Sequence, residues 1–171
     1  MIDLKERIRS IPDFPKKGIL FRDITTLIKD EEAFKRALEL LAEPFRDKAI
    51  DKVAAIEARG FIFGAPLAYM LGAGFVPIRK SGKLPWDKIF ETCTLEYGEE
   101  RLEIHIDAVS KGEKVLIVDD LLATGGTVLA SKRLIERLGG EVVAFAFLIE
   151  LRDLNGRKAL EGYEVHSVIQ F

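Results

Sequence analysis

A chain of 171 residues with a formal net charge of −2 is long enough for one domain with a full core and short for two. Nearly half of the residues are apolar and about a third are charged, the balance of a soluble globular protein, and the charge gives no electrostatic reason to expect a nucleic-acid or membrane-surface partner. Any anion must be held by a local arrangement of donors, while the single cysteine, Cys93, excludes an intramolecular disulfide framework and fits a reducing compartment.

The first residues, Met1 to Glu6, mix charges with apolar side chains, so no secretory signal is expected and the expected location is cytoplasmic. Asp30 to Phe45 carries Ala33, Phe34, Ala37, Leu38 and Leu41 at helical spacing, with Asp30 placed to cap. Val53 to Ile56 is a short apolar run ending at Glu57-Ala58-Arg59-Gly60. Phe61 to Ile78 is uncharged and long enough to raise the question of a membrane span. Gly64, Pro66, Gly72, Gly74 and Pro77 break it, and it reads as a buried helix, a glycine turn and a strand.

Cys93 reads as a small apolar residue of a strand. Glu103, His105 and Asp107 alternate with Leu102, Ile104 and Ile106. Three such ligands invite a metal site, but the same pattern describes the wet face of a strand whose apolar face points inward, and that reading is preferred. Val115 to Val118 is a second buried run, followed by a glycine turn and a helix over Val128 to Leu138. Glu141 to Glu150 is a strand apolar on both faces, and Val165 to Ile169 forms one more, with His166 given no role. Strands apolar on both faces, alternating with helices, predict an α/β domain with a mainly parallel central sheet flanked by helices. Ligands in such folds sit beyond the carboxyl ends of the strands, which points to Glu57–Gly60 and Asp119–Thr127.

The most informative string runs from Val115 through Asp119-Asp120-Leu121-Leu122-Ala123-Thr124-Gly125-Gly126-Thr127. The apolar strand fixes the loop in place. Gly125 and Gly126 let the backbone turn tightly and approach a ligand closely. A helix starting near Thr127 offers free N–H groups and a positive dipole end, a phosphate site, to which Thr124 and Thr127 add hydroxyls. Adjacent carboxylates at a strand end are good acceptors for the vicinal hydroxyls of a sugar. The string is neither a Walker A loop nor a dinucleotide fingerprint.

It closely resembles the phosphoribosyl pyrophosphate (PRPP) motif of type I phosphoribosyltransferases, in the form of the adenine branch. Other segments agree in register. Phe14-Pro15-Lys16-Lys17-Gly18-Ile19-Leu20-Phe21-Arg22-Asp23-Ile24-Thr25 is similar to the family's base-binding segment, and Ala55 to Phe61 resembles its pyrophosphate loop. Arg79 to Pro85 resembles its mobile loop, and Leu95-Glu96-Tyr97-Gly98 the loop's return. Departures are Thr26, where many relatives carry proline, and the unusual loop middle Trp86-Asp87-Lys88.

The resemblance implies one phosphoribosyltransferase domain with a small base-binding hood at about residues 1–30 and a mobile loop at about 79–97. It implies a purine-salvage reaction in which adenine displaces pyrophosphate from PRPP to give AMP. Mg2+ would be held mainly by the oxygens of PRPP, with no metal ligand set in the protein. PRPP would be bound by Asp119, Asp120, Ala123, Thr124, Gly125, Gly126 and Thr127. The pyrophosphate would meet Glu57, Ala58, Arg59, Gly60, Arg79, Lys83 and Tyr97. Arg59 could instead form a surface ion pair with Glu57.

Arg79, Lys80, Lys83 and Lys88 lie in a run interrupted by Gly82 and Pro85, which suits a lid as well as a plain charged face. The resemblance favours the lid, with Lys83 serving its own subunit or a neighbour. Leu20, Phe21 and Arg22 are assigned to adenine, Leu20 through its backbone; Phe21 could stack on the base or fill the core. Glu96, Arg59 and Lys83 are the catalytic candidates, Glu96 managing the proton of the base. A homodimer is also implied. Two rivals remain: a phosphoribosyltransferase for a 6-oxopurine, and a PRPP-sensing regulator without catalysis, for which the chain has neither a basic appendage nor room.

Overall fold

The chain folds as two units, residues 1–40 and residues 41–171, and the computed structural model describes residues 2–95 and 98–171. In the first unit, β1 (Arg9–Pro12) and β2 (Leu20–Asp23) pair antiparallel, with Ser10 opposite Arg22 and Ile11 opposite Phe21. The reversal between them uses left-handed backbone at Asp13 and Gly18, and the Gly18 N–H donates to the Asp13 carboxylate at 2.7 Å. The Asp23 carboxylate accepts the Thr25 N–H and the Arg9 guanidinium, each at 2.9 Å, and these bonds hold it at a pKa of about 2. Helix α1 (Thr25–Ile28) and helix α2 (Glu31–Ala42) follow. Asp30 accepts the Ala33 N–H at 2.9 Å, the cap expected from sequence, and Ala33, Ala37 and Leu41 line a fully buried stripe four residues apart.

The second unit is an α/β layer structure. Its elements are β3 (Lys52–Ile56), α3 (Arg59–Leu71), β4 (Gly74–Lys80), β5 (Lys88–Leu95), β6 (Gly98–His105), β7 (Lys114–Leu122), α4 (Gly126–Arg137), β8 (Glu141–Glu150) and β9 (Glu164–Gln170). They form a seven-stranded sheet in the order β5-β6-β4-β3-β7-β8-β9. Strands β4, β3, β7, β8 and β9 are parallel, and the β5–β6 hairpin adds antiparallel to the edge at β4. The runs Val53-Ala54-Ala55 and Val115 to Val118, apolar on both faces, are fully buried at the centre.

The uncharged stretch from Phe61 resolves into α3, a left-handed Gly72 that ends it, and β4. Among the described residues no helix is long and apolar enough to cross a membrane. A side chain at Gly64 would run into Ala55, so glycine there lets α3 lie on β3. Cys93 is buried in β5, and burial pushes its thiol pKa up, as suits a packing residue.

One expectation fails in β6. Glu103, placed on the wet face, is buried, because the turn after β4 folds over it: Ser81 Oγ and the Gly82 N–H donate to its carboxylate at 3.1 and 3.2 Å. Ile106, placed on the inward face, lies beyond the strand end and is exposed. Alternation describes a strand only while its ladder continues and nothing covers its polar face.

Candidate active site

The chain leaves β3 for β4 on one side of the sheet, while β7 joins β3 on the other, so the strand order reverses between β3 and β7. A crevice opens beyond the carboxyl ends of strands at such a reversal. Here it is a cleft of about 410 Å3 lined by Glu57, Arg59, Lys83, Asp119, Asp120 and Thr127 among others. A larger hollow of about 680 Å3 lies at the β8–β9 edge, beside Arg157, Lys158 and Tyr163, away from these groups.

Two segments build the floor. From β3 the chain passes through Glu57 and a cis Glu57–Ala58 peptide into α3. Arg59, the first residue of α3, forms an ion pair through Nε with the Asp120 carboxylate at 2.9 Å. Asp119 and Asp120 lie near the end of β7, where Asp119 Oδ1 accepts the Asp120 N–H at 2.8 Å. Burial raises both carboxyl pKa values. For Asp119 the Asp120 charge adds to the rise, while for Asp120 the Arg59 guanidinium opposes it. Gly60 admits this approach: a Cβ on it would sit 2.9 Å from Asp119 Oδ1 and 3.2 Å from the Val118 carbonyl oxygen.

After β7, Ala123 and Thr124 lead to Gly125, which takes φ 90° and starts α4. The Leu129 N–H is bonded to the Gly125 carbonyl at 3.0 Å, and no side chain caps the helix. The amides of its first turn, Gly126 to Val128, therefore have no acceptor within the helix and form the arrangement that binds an anion. A Cβ on Gly126 would lie 2.8 Å from the Thr94 carbonyl oxygen of β5, so this glycine lets the hairpin close against the loop.

The opposite wall is cationic and is organised by Glu57. Its nearly buried carboxylate accepts Lys83 Nζ at 2.6 Å, the Lys80 N–H at 3.0 Å and Arg79 Nε at 3.2 Å. Burial alone would raise its pKa, but the hydrogen bonds from Lys83, Lys80 and Arg79 outweigh it and hold the group at about 2. Lys80 Nζ pairs with Glu100 at 2.7 Å. Lys88, counted with these cations in the sequence, turns away to the Leu84 carbonyl at 2.9 Å.

Of the residues assigned to pyrophosphate and to PRPP in the second unit, Glu57, Ala58, Arg59, Lys83, Asp119, Asp120 and Thr127 line this one cleft, whereas Gly60, Arg79 and Ala123 to Gly126 are not part of its lining. Glu96 and Tyr97 lie outside the described residues. The ion pair weighed for Arg59 with Glu57 is made with Asp120 instead. Lys80 counts among the lid cations, but its partner Glu100 is not singled out by sequence; the pairing of β6 with β4 that brings the two together is not written in local composition. In the first unit, Leu20 is exposed, and Phe21, only partly buried, meets Phe14 edge to face at 5.1 Å between ring centroids. Arg22 donates to Ser10 Oγ at 2.6 Å.

Known proteins share this chain's sequence and fold. The family model for the phosphoribosyl transferase domain matches residues 25–169. The adenine phosphoribosyltransferase of Thermotoga maritima is 59% identical over 170 residues, covering 99% of this chain and 98% of the relative. The crystal structure of adenine phosphoribosyltransferase from Thermoanaerobacter pseudethanolicus superposes with a TM-score of 0.95 at 57% identity, over 98% of each chain. That of the Saccharomyces cerevisiae enzyme, solved with an imino-altritol bisphosphate and adenine, gives 0.90 at 38% identity over 96% of each.

Proposed function

The chain belongs to the phosphoribosyl transferase domain family, and on that premise we propose that it transfers the phosphoribosyl group of PRPP to adenine, yielding AMP and pyrophosphate in purine salvage. The observation that carries the reading is the meeting of an acidic pair, the half-buried Asp119 and the buried Asp120, with the uncapped amides of Gly126 to Val128 at one strand-order reversal. A sugar bearing a phosphate needs both kinds of partner side by side.

Displacement at the anomeric carbon passes through a cation-like sugar, so the protein must hold the sugar and steady the departing pyrophosphate. Asp119 and Asp120 accept ribose hydroxyls, and the loop Ala123 to Thr127 takes the ribose phosphate. Arg59, held in orientation by Asp120, meets the pyrophosphate together with the backbone of Ala58 and Gly60. Glu57 stores Arg79 and Lys83 at the rim of the cleft, from which they pass to the pyrophosphate when it binds. Leu20, Phe21 and Arg22 recognise adenine, Leu20 through its carbonyl, which accepts from an exocyclic amine and repels a 6-oxo group. Glu96 takes the ring proton of the base and Tyr97 contacts the pyrophosphate, both on the strength of family resemblance.

Mg2+ enters as a passenger on PRPP, whose own oxygens would hold most of it. The ion supplies charge neutralisation of the leaving pyrophosphate. The enzyme works as a cytoplasmic homodimer in this reading. The deciding assay is nucleotide formation from PRPP and Mg2+ with adenine, hypoxanthine and guanine side by side. AMP formation far above the other two is expected, and preferential use of hypoxanthine or guanine overturns the base assignment.

A further inference from the structure

The phosphate loop has a rear wall made by residues outside the cleft. Between β8 and β9 the chain makes two 3-10 turns, Arg152–Leu154 and Gly156–Leu160, joined by Asn155 in the left-handed conformation. The second turn lies directly against the loop. A Cβ on Gly156 would overlap the Ala123 carbonyl oxygen and lie 3.0 Å from Leu122 Cδ1. A Cβ on Gly125 would lie 3.0 Å from Ala159 Cβ and 3.1 Å from the Gly156 carbonyl oxygen. Ala123 and Gly125 thus rest on the backbone of Gly156 and the methyl of Ala159, at van der Waals distance, with no spare space.

The turn is pinned from its far side. Arg157 donates to the buried Glu150 carboxylate through Nε at 3.0 Å and Nη2 at 2.5 Å, and to the Val165 carbonyl at 2.9 Å. Ser167 Oγ completes the cluster on Glu150 at 2.6 Å, and Leu160 is sunk in the core. The fork between Arg157 and Glu150 is the kind of fixture that sets position as well as energy. Sequence alone gives it no visible purpose: none of these residues lines the cleft that holds Arg59 and Asp119.

We infer that Gly156 and Arg157 are positioning residues for PRPP: the Arg157–Glu150 fork presses the Gly156 turn against Ala123 and Gly125 and so sets where the loop amides point. The inference rests on the loop being the phosphate cradle. A misplacement of about 1 Å at a remote support can cost on the order of 10²-fold in function. The loop has no side-chain cap to resist such a shift.

The test compares Gly156→Ala, Arg157→Met and Arg157→Lys in the full chain, with Thr127→Ala as a reference for the cradle. Calorimetry with PRPP and Mg2+ gives the dissociation constant, and kinetics give the KM for each substrate. Gly156→Ala and Arg157→Met should each weaken PRPP binding about 10-fold or more, leave the adenine KM within about 2-fold, and melt as folded proteins. Arg157→Lys, which keeps the charge but not the fork, should fall between Met and the parent. A residue that served folding alone would lower the active fraction, hence kcat, with both KM values unmoved, and that result overturns the inference. If Gly156→Ala does not fold, Arg157→Met decides alone, since it adds no atom against the loop. If Thr127→Ala also leaves PRPP affinity untouched, the fault lies with the cradle; if it weakens binding while Arg157→Met does not, the fault lies with the rear wall.

Discussion

Glu57 has two cations and a backbone amide on one nearly buried carboxylate, and its pKa falls from 4.5 to about 2. A carboxyl group depressed by folding contributes stability that is fully present above its ordinary value and is lost as pH falls toward the folded one. The window here is about pH 4.5 down to about 2. Lys83 is half exposed and Arg79 a third exposed, so solvent screens part of the gain. Glu57→Gln should therefore cost about 1–2 kcal/mol at neutral pH, and the loss should shrink as the parent protonates. Urea melts of both proteins at intervals between pH 7 and 2.5 measure it; curves that stay parallel across the window would mean the carboxylate is not what the cations hold. Glu96 stands on different ground, since its role comes from resemblance. If it takes the proton of adenine, Glu96→Gln should lower kcat on the order of 10²–10⁴-fold and leave PRPP affinity nearly intact. Turnover within a few-fold of the parent, with chemistry rate-limiting, would move the proton to water or Tyr97.

At the scale of elements, α3 is set against the sheet by two glycines with different duties. Gly60 faces Asp119 at the cleft, whereas Gly64 faces Ala55 in the core. Alanine at Gly60 gains helix propensity of up to about 1 kcal/mol, which offsets crowding against the Asp119 carboxylate oxygen and the Val118 carbonyl oxygen. Its melting temperature should hardly move while the KM for PRPP rises about 10-fold. Alanine at Gly64 has no such freedom: overpacking the core should cost about 1–3 kcal/mol with KM unchanged. Two variants of one helix that shift the same parameter would show that the distinction is false.

The same helix shows what sequence makes legible. The central strands, α3, α4 and the phosphate loop could be read because each carries its signal within a dozen consecutive residues: an apolar run, a glycine stop or a glycine turn before a helix. Strands at Cys93 and from Leu102 onward could be read too, but not their pairing as the β5–β6 hairpin, because Lys88 to Leu95 mixes charged, threonine and apolar residues without a clean alternation. The partner choices Arg59–Asp120, Lys80–Glu100 and Arg157–Glu150 could not either. The first two join residues far apart in the chain, and nothing in local composition chooses among the available acids.

Taken as a whole, the molecule places charge where folding would prefer none. Burial and the neighbouring Asp120 raise the Asp119 carboxyl well above its ordinary value. A raised acid is neutral at no cost below its unfolded pKa, about 3.9, and opposes folding increasingly as pH rises toward its folded value. Asp119→Asn keeps the size and an oxygen to accept the Asp120 N–H, and removes that opposition. The unliganded variant should be more stable than the parent at pH 8, by about 1–3 kcal/mol, with the gain fading toward pH 4. For a chain of this size each kcal/mol moves the melting temperature by about 2–4 °C. PRPP and Mg2+ should reverse the order. Ligand at about 100 times Kd stabilises the native state by ~2.7 kcal/mol, and the parent collects all of this while the variant, lacking an acceptor for a ribose hydroxyl, collects little. Thermal scans of both proteins, with and without PRPP and Mg2+, should therefore cross. A variant that melts below the parent without ligand at pH 8 shows that the Asp119 charge was not opposing the fold. One that keeps the full ligand-induced shift shows that Asp119 does not hold the sugar.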